Sequence, residues 1–176
     1  PVSGLLPIHI RGSTMKGFYR IGVMAALATV SAVAMSQGAG GPPSPEAQAK
    51  SAIETRQGLF KVIANQNGPL GAMTRGQREV DTALVTQRME RIKVLSEMIP
   101  EVFALDTRAF KDTKTAALDG IWTSQADFKA KAEALGKAAD AVLAVSKTGD
   151  KDATAKAMRD NIGKSCGGCH DNYRAK

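Results

Sequence analysis

Near its end the chain carries Cys166-Gly167-Gly168-Cys169-His170, two thiols three positions apart with an imidazole directly after the second. Covalent haem attachment needs this arrangement: each thiol adds to one vinyl group, and the next residue delivers a nitrogen to the iron. These are the chain's two cysteines, and the other histidine is His9. Zinc would require four N or S ligands, more than two cysteines and one histidine supply. A thioredoxin-like redox pair belongs after a strand in a βαβ setting, which the pattern here lacks. A structural disulfide stays open as a third reading, although the adjacent histidine argues for haem. One motif implies one haem c, with His170 as its axial ligand.

Four helical patterns must position these groups. Ser44-Pro45-Glu46 gives a cap, a first-turn proline and an acid, so helix A is expected over 46–66, with Ile53, Gln57, Phe60 and Ala64 on one stripe. Asn65-Gln66-Asn67-Gly68-Pro69 should stop it, leaving a loop to about Gly76. Helix B is expected over 77–103, with Pro100 kinking its end. A connector over 104–123 should pack Trp122 inward. Helix C should run from a capping box at Ser124-Gln125-Ala126-Asp127 to about Ser146. Helix D is expected over 151–173, where Met158, Ile162, Cys166, Cys169 and Tyr173 recur at spacings of 4, 4, 3 and 4 and so share a buried face. The fold class read from this is all-α, an antiparallel four-helix bundle.

The first 34 residues have a different character. From Met15, Lys16 and Arg20 precede an apolar stretch, Ile21 to Val33, and Ala32-Val33-Ala34 offers the small residues a signal peptidase reads. The apolar run is shorter than the roughly 20 residues a spanning helix needs. Residues 1–34 are therefore expected to be a non-native leader plus a cleaved signal peptide, 35–45 a flexible Gly/Ser/Pro-rich segment, and 46–176 the domain. Export to the periplasm follows, with no stable membrane insertion after cleavage. The formal charge of +7 includes Arg11, Lys16 and Arg20; from Met35 onward 21 Lys+Arg face 17 Asp+Glu, a net +4. Scattered charges of both signs exclude a nucleic-acid surface, while a modest positive balance could steer an acidic redox partner.

The motif's place within about ten residues of the end, followed by Asp171-Asn172-Tyr173-Arg174, resembles the class II c-type cytochromes, the cytochrome c-prime family. Arg56-Gln57-Gly58-Leu59-Phe60-Lys61, Ile121-Trp122 and Phe128-Lys129 extend the resemblance over 46–176. It implies a haem held between the bundle's helices and a homodimer formed through the first two. Low-spin, electron-transfer members of the family carry Arg-x-x-x-Met-Lys in the first helix, the methionine completing a six-coordinate iron. Here Phe60 stands in that place, so the resemblance implies five-coordinate, high-spin iron with Phe60 and Leu59 crowding the distal side. It further implies Arg56 and Gln57 at a propionate, Arg174 on the proximal side near His170, and Trp122 near the haem edge.

An open, apolar distal side favours NO and CO over O2, which gains from a distal hydrogen-bond donor. Gas binding, including NO scavenging or storage, is the function this implies, with electron carriage to an unidentified periplasmic partner alongside it. Peroxidase catalysis wants a distal acid/base, and His170 is already committed to the iron. The alternative is a six-coordinate, low-spin electron-transfer cytochrome of the c556 type, in which Met73, Met89, Met98 or Met158 reaches the iron.

Overall fold

The computed structural model describes residues 41–176. The expected leader and signal segment, and residues 35–40 of the flexible segment, lie outside the described residues. Elements follow in the order α1 (Pro45–Thr74), α2 (Thr82–Glu97), α3 (Ile99–Val102), α4 (Gly120–Thr123), α5 (Gln125–Ser146), α6 (Lys151–Ala157), a π-helical turn (Met158–Gly163) and α7 (Lys164–Tyr173). α1, α2, α5 and the composite last helix form the four-helix bundle expected from the periodicity. No described helix is long and apolar enough to cross a membrane.

Ser44 caps α1, its Oγ accepting from Ala47 N at 3.2 Å. The helix does not stop at Asn65 but runs through Gly68 and Pro69 to Thr74. A mid-helix proline costs ~3 kcal/mol and a glycine about 1. Leu70 and Met73, in the turn beyond, are 2% and 3% exposed, and burying two such side chains returns roughly 1.5–3 kcal/mol each. The tertiary gain offsets the local breakers. The helix ends instead at Gly76, whose φ of 71° permits a left-handed turn. Gly76 N donates to Met73 O and Gln77 N to Ala72 O, closing the last carbonyls in a Schellman motif.

The second helix likewise begins later than its pattern suggests. Asp81 caps α2 by accepting from Leu84 N, so 77–80 are not helical. α2 ends at Glu97, and Pro100 lies in the separate turn α3, consistent with the steric restriction a proline places on what precedes it. Ser124 makes no side-chain cap: α4 runs almost directly into α5, and Ser124 O accepts from Phe128 N. Asp127, the expected acid of that box, turns to Tyr173 instead.

The long connector, 103–119, is fastened at several points. Leu118 N donates to Tyr173 O and Ala175 N to Ala116 O, making an antiparallel bridge between Ala117 and Arg174. Trp122 Nε1 donates to Phe103 O at 3.1 Å. These bonds set the C-terminal strap and the connector side by side, next to the cysteines and histidine.

Candidate functional site

α7 presents Cys166, Cys169 and His170 to one cavity of about 540 Å3, a cofactor-sized space. Its walls are largely apolar: Phe60 and Ile63 of α1, Ile92 of α2, Phe103, Ile121, Phe128 and Leu135. Both thiols are free and half-buried. Desolvation raises both thiol pKa values, with Lys131 opposing at Cys169. Burial first, then the Arg174 charge, lowers His170, so its imidazole stays neutral near pH 7 and keeps a lone pair for a metal. No group of three His, Cys, Asp or Glu that could hold a metal ion occurs among the described residues.

Four cationic side chains border the cavity, Arg56, Lys61, Lys131 and Arg174, and no carboxylate does. An apolar body with anionic groups at its edge fits such a lining, and haem with its propionates has that character. The residues present therefore fit the group: Cys166 and Cys169 at its vinyl side, His170 for the iron, and the cations for the propionates.

Arg56 is 3% exposed. Its Nε donates to Val102 O at 2.7 Å, its Nη1 to Thr107 Oγ1 at 2.7 Å and its Nη2 to Leu105 O at 2.5 Å. The guanidinium also lies 4.7 Å from the Phe103 ring centroid and 5.2 Å from that of Trp122. Burial lowers its pKa against the pull of Asp106, yet an arginine stays charged. Sequence reasoning gave Arg56 a propionate; the structure adds a clamp on the start of the connector. Three of its five N–H groups serve the protein, leaving two for a ligand. Gln57, also assigned a propionate, borders the cavity but donates to Lys114 O at 2.9 Å, fastening the connector's far end.

Phe60 lines the cavity, its ring edge-on to Phe103 with centroids 6.2 Å apart. Leu59 does not line it. Successive helical residues point about 100° apart, and Leu59 packs into the core among buried side chains. Trp122 is also absent from the lining and sits behind Phe103, centroids 6.2 Å apart. Arg174 does border the cavity. Among the described residues no methionine lines it: Met73, Met89 and Met158 are buried elsewhere in the core, and Met98 is 43% exposed rather than core-facing.

Sequence reasoning missed Lys61, Lys131, Asn67 and the connector residues Thr115 to Ala117. Asn67 lies seven residues beyond Phe60, a spacing that marks the same helix face, but the expected helix end hid it. Tyr173 has a second task, because its hydroxyl donates to Asp127 Oδ2 at 2.5 Å.

That bond, followed by burial and the Asp127 charge, pushes the Tyr173 pKa from 10.0 up to about 12. Below pH 10 the phenol is neutral in both folded and unfolded chains; above it, the unfolded chain loses the proton first. The stability Tyr173 contributes is thus complete below about pH 10 and disappears as pH rises through about 12. Tyr173→Phe is expected to flatten this part of the stability profile. Comparing chemical denaturation of the two proteins from pH 9 upward isolates Tyr173 from lysines titrating in the same range; coincident slopes would refute the assignment.

A family model described as Cytochrome C' matches residues 51–174. The chain belongs to the cytochrome c' family. It is 38% identical over 124 residues to cytochrome c-556 of Agrobacterium fabrum, covering 70% of this chain and 81% of that one. Among solved structures, cytochrome c prime from Shewanella frigidimarina matches with a TM-score of 0.64 and 35% identity, covering 73% of this chain and 97% of that one. A nitric oxide complex of a variant of cytochrome c prime from Alcaligenes xylosoxidans matches with a TM-score of 0.62 and 29% identity, over 73% of this chain and 97% of the other. Membership of the cytochrome c' family makes this chain a c-type haem cytochrome.

Proposed function

We propose that this cytochrome holds one haem c through thioether bonds from Cys166 and Cys169, with His170 as the axial ligand, and that it binds NO and CO in the periplasm. When bound, the haem supplies one iron able to take a diatomic gas or an electron. The observation that carries the reading is Phe60 in the cavity wall, with no methionine among the described residues lining the cavity. A phenyl ring has no lone pair, so nothing on α1 at that position competes with a gas. Phe60, Ile63 and Ala64 exclude water from that wall, while Arg56, Lys61, Lys131 and Arg174 neutralise the propionates. His170, the one histidine among the described residues that borders the cavity, would be committed to the iron, leaving no second described imidazole for a peroxidase acid/base.

The nitric oxide complex of the Alcaligenes xylosoxidans relative supports the gas assignment. The c-556 relative favours a second reading, a six-coordinate cytochrome that transfers electrons to a periplasmic partner. The proposal includes a homodimer through α1 and α2, where Val62 and Val94 are 46% and 59% exposed, and removal of the leader before residue 35. The optical spectrum of the purified ferrous holoprotein, with and without carbon monoxide, decides between the readings. Broad, unsplit bands that sharpen with CO are expected. Narrow, split bands indifferent to CO would establish the low-spin alternative.

A further inference from the structure

His170 sits in the last turn of its helix. α7 ends at Tyr173, Arg174 leaves in an extended conformation, and the His170 carbonyl accepts the closing bond from Arg174 N at 3.2 Å. Helix ends open readily, because their last carbonyls lack partners within the helix. Tyr173 is the one buried residue of α7, so the chain's own hold on this turn falls to it. Its carbonyl accepts from Leu118 N at 3.1 Å, and its ring meets Phe128 edge-on with centroids 5.3 Å apart. A Cβ built on Gly120 would stand 3.5 Å from its Cε1, so the ring also packs against the start of α4. The hydroxyl completes the hold by donating to Asp127 Oδ2 at 2.5 Å. Among the described residues this is the one side chain to side chain hydrogen bond that ties α7 to α5.

Resting on the haem and gas reading above, we propose that Asp127 is a positioning residue for the axial ligand: through the Tyr173 hydroxyl it holds the last turn of α7 and so sets how readily the His170 imidazole leaves the iron when NO binds. Asp127 lies in the first turn of α5, where unpaired helix N–H groups favour a carboxylate. Tyr173 follows His170 by one helical turn, which puts the two side chains side by side on α7, and both border the haem cavity. NO bonds strongly to iron and weakens the bond on the opposite side. An imidazole loosened in this way still departs only if its backbone gives. The thioether bonds would hold the chain as far as Cys169; beyond it, the opening of the last turn is opposed by Tyr173 and its carboxylate partner. Hydrogen bonds to an ionised group are roughly twice as strong as neutral ones, so this one contact weighs heavily on a single turn.

Stopped-flow absorption of the ferrous holoprotein mixed with NO tests this, because the iron's bands change when the imidazole departs. Tyr173→Phe keeps the ring and its packing but loses the hydroxyl, and Asp127→Ala loses the acceptor. Asp127→Asn keeps an acceptor oxygen without the charge. The rate of imidazole release is expected to rise about fivefold to tenfold in Tyr173→Phe and Asp127→Ala, the weight of one hydrogen bond on the opening of the turn, and to return towards the unsubstituted rate in Asp127→Asn. Lowered stability with equal release rates in all four proteins would show a purely structural bond and overturn the proposal. So would an Asp127→Asn variant as fast as Asp127→Ala, or an imidazole that never departs in any of them. An unsubstituted ferrous holoprotein that takes up no NO would instead overturn the gas reading itself, and this role with it.

Discussion

Phe60→Met is expected to turn the ferrous spectrum from broad and CO-responsive to narrow, split and nearly indifferent to CO. The side chain borders the cavity that Cys166, Cys169 and His170 also border, and the resemblance set out above matches it to the ligating methionine of low-spin members. Leu↔Met-type flexibility lets a thioether adjust to the space a ring leaves, so the sulfur can reach an axial position that phenylalanine only obstructs. If sulfur holds that position all but about 1% of the time, apparent CO affinity falls about 100-fold. CO titration of both proteins measures this directly. Unchanged CO affinity in the methionine variant would mean that Phe60 does not face the iron.

The second large effect is on stability. Arg56→Met keeps an unbranched side chain of similar length but strips Val102 O, Leu105 O and Thr107 Oγ1 of their donor. Hydrogen bonds from a charged group contribute about 1.5–3 kcal/mol each when their partners are buried. Leu105 is exposed and Val102 only half-buried, so water recovers part of the loss. A net destabilisation of about 3 kcal/mol is expected, a large share of the 5–15 kcal/mol typical of a domain. Arg56→Lys should restore little, because one ammonium cannot span three separated acceptors as a planar guanidinium does. Urea unfolding of the three holoproteins checks both statements. Arg56→Met with unchanged stability would show that the connector is held without the clamp.

How much the sequence disclosed depended on how local each signal was. Cys166, Cys169 and His170 announce themselves within five residues, because the proposed attachment to one haem would fix their spacing. Their shared face with Ile162 and Tyr173 follows from the repeat along the last helix, which persists through the π-helical turn. The clamp was invisible for the opposite reason: Arg56 meets acceptors 46 to 51 residues further on, in a connector with no periodic pattern. Helix A was cut short because Asn67-Gly68-Pro69 reads as a stop, whereas the burial of Leu70 and Met73 that overrides it is a tertiary effect. The same error concealed Asn67, which borders the cavity. Leu59 was misplaced by a single helical step, the distance that separates the cavity wall from the core.

The cavity is enclosed by two hairpins from different parts of the chain. α1 and α2 bring Phe60, Ile63 and Ile92; α5 and the composite last helix bring Phe128, Leu135, the thiols and His170. The connector pinned by Arg56, Gln57 and the Ala117–Arg174 bridge is the chain's one covalent link between these halves. Such a division separates inheritance of the anchor from inheritance of the selector. On the proposed reading, substitutions at Phe60 or Ile63 would retune what the cavity admits without touching Cys166, Cys169 or His170, so one scaffold could serve gas binding or electron carriage through changes at a single wall.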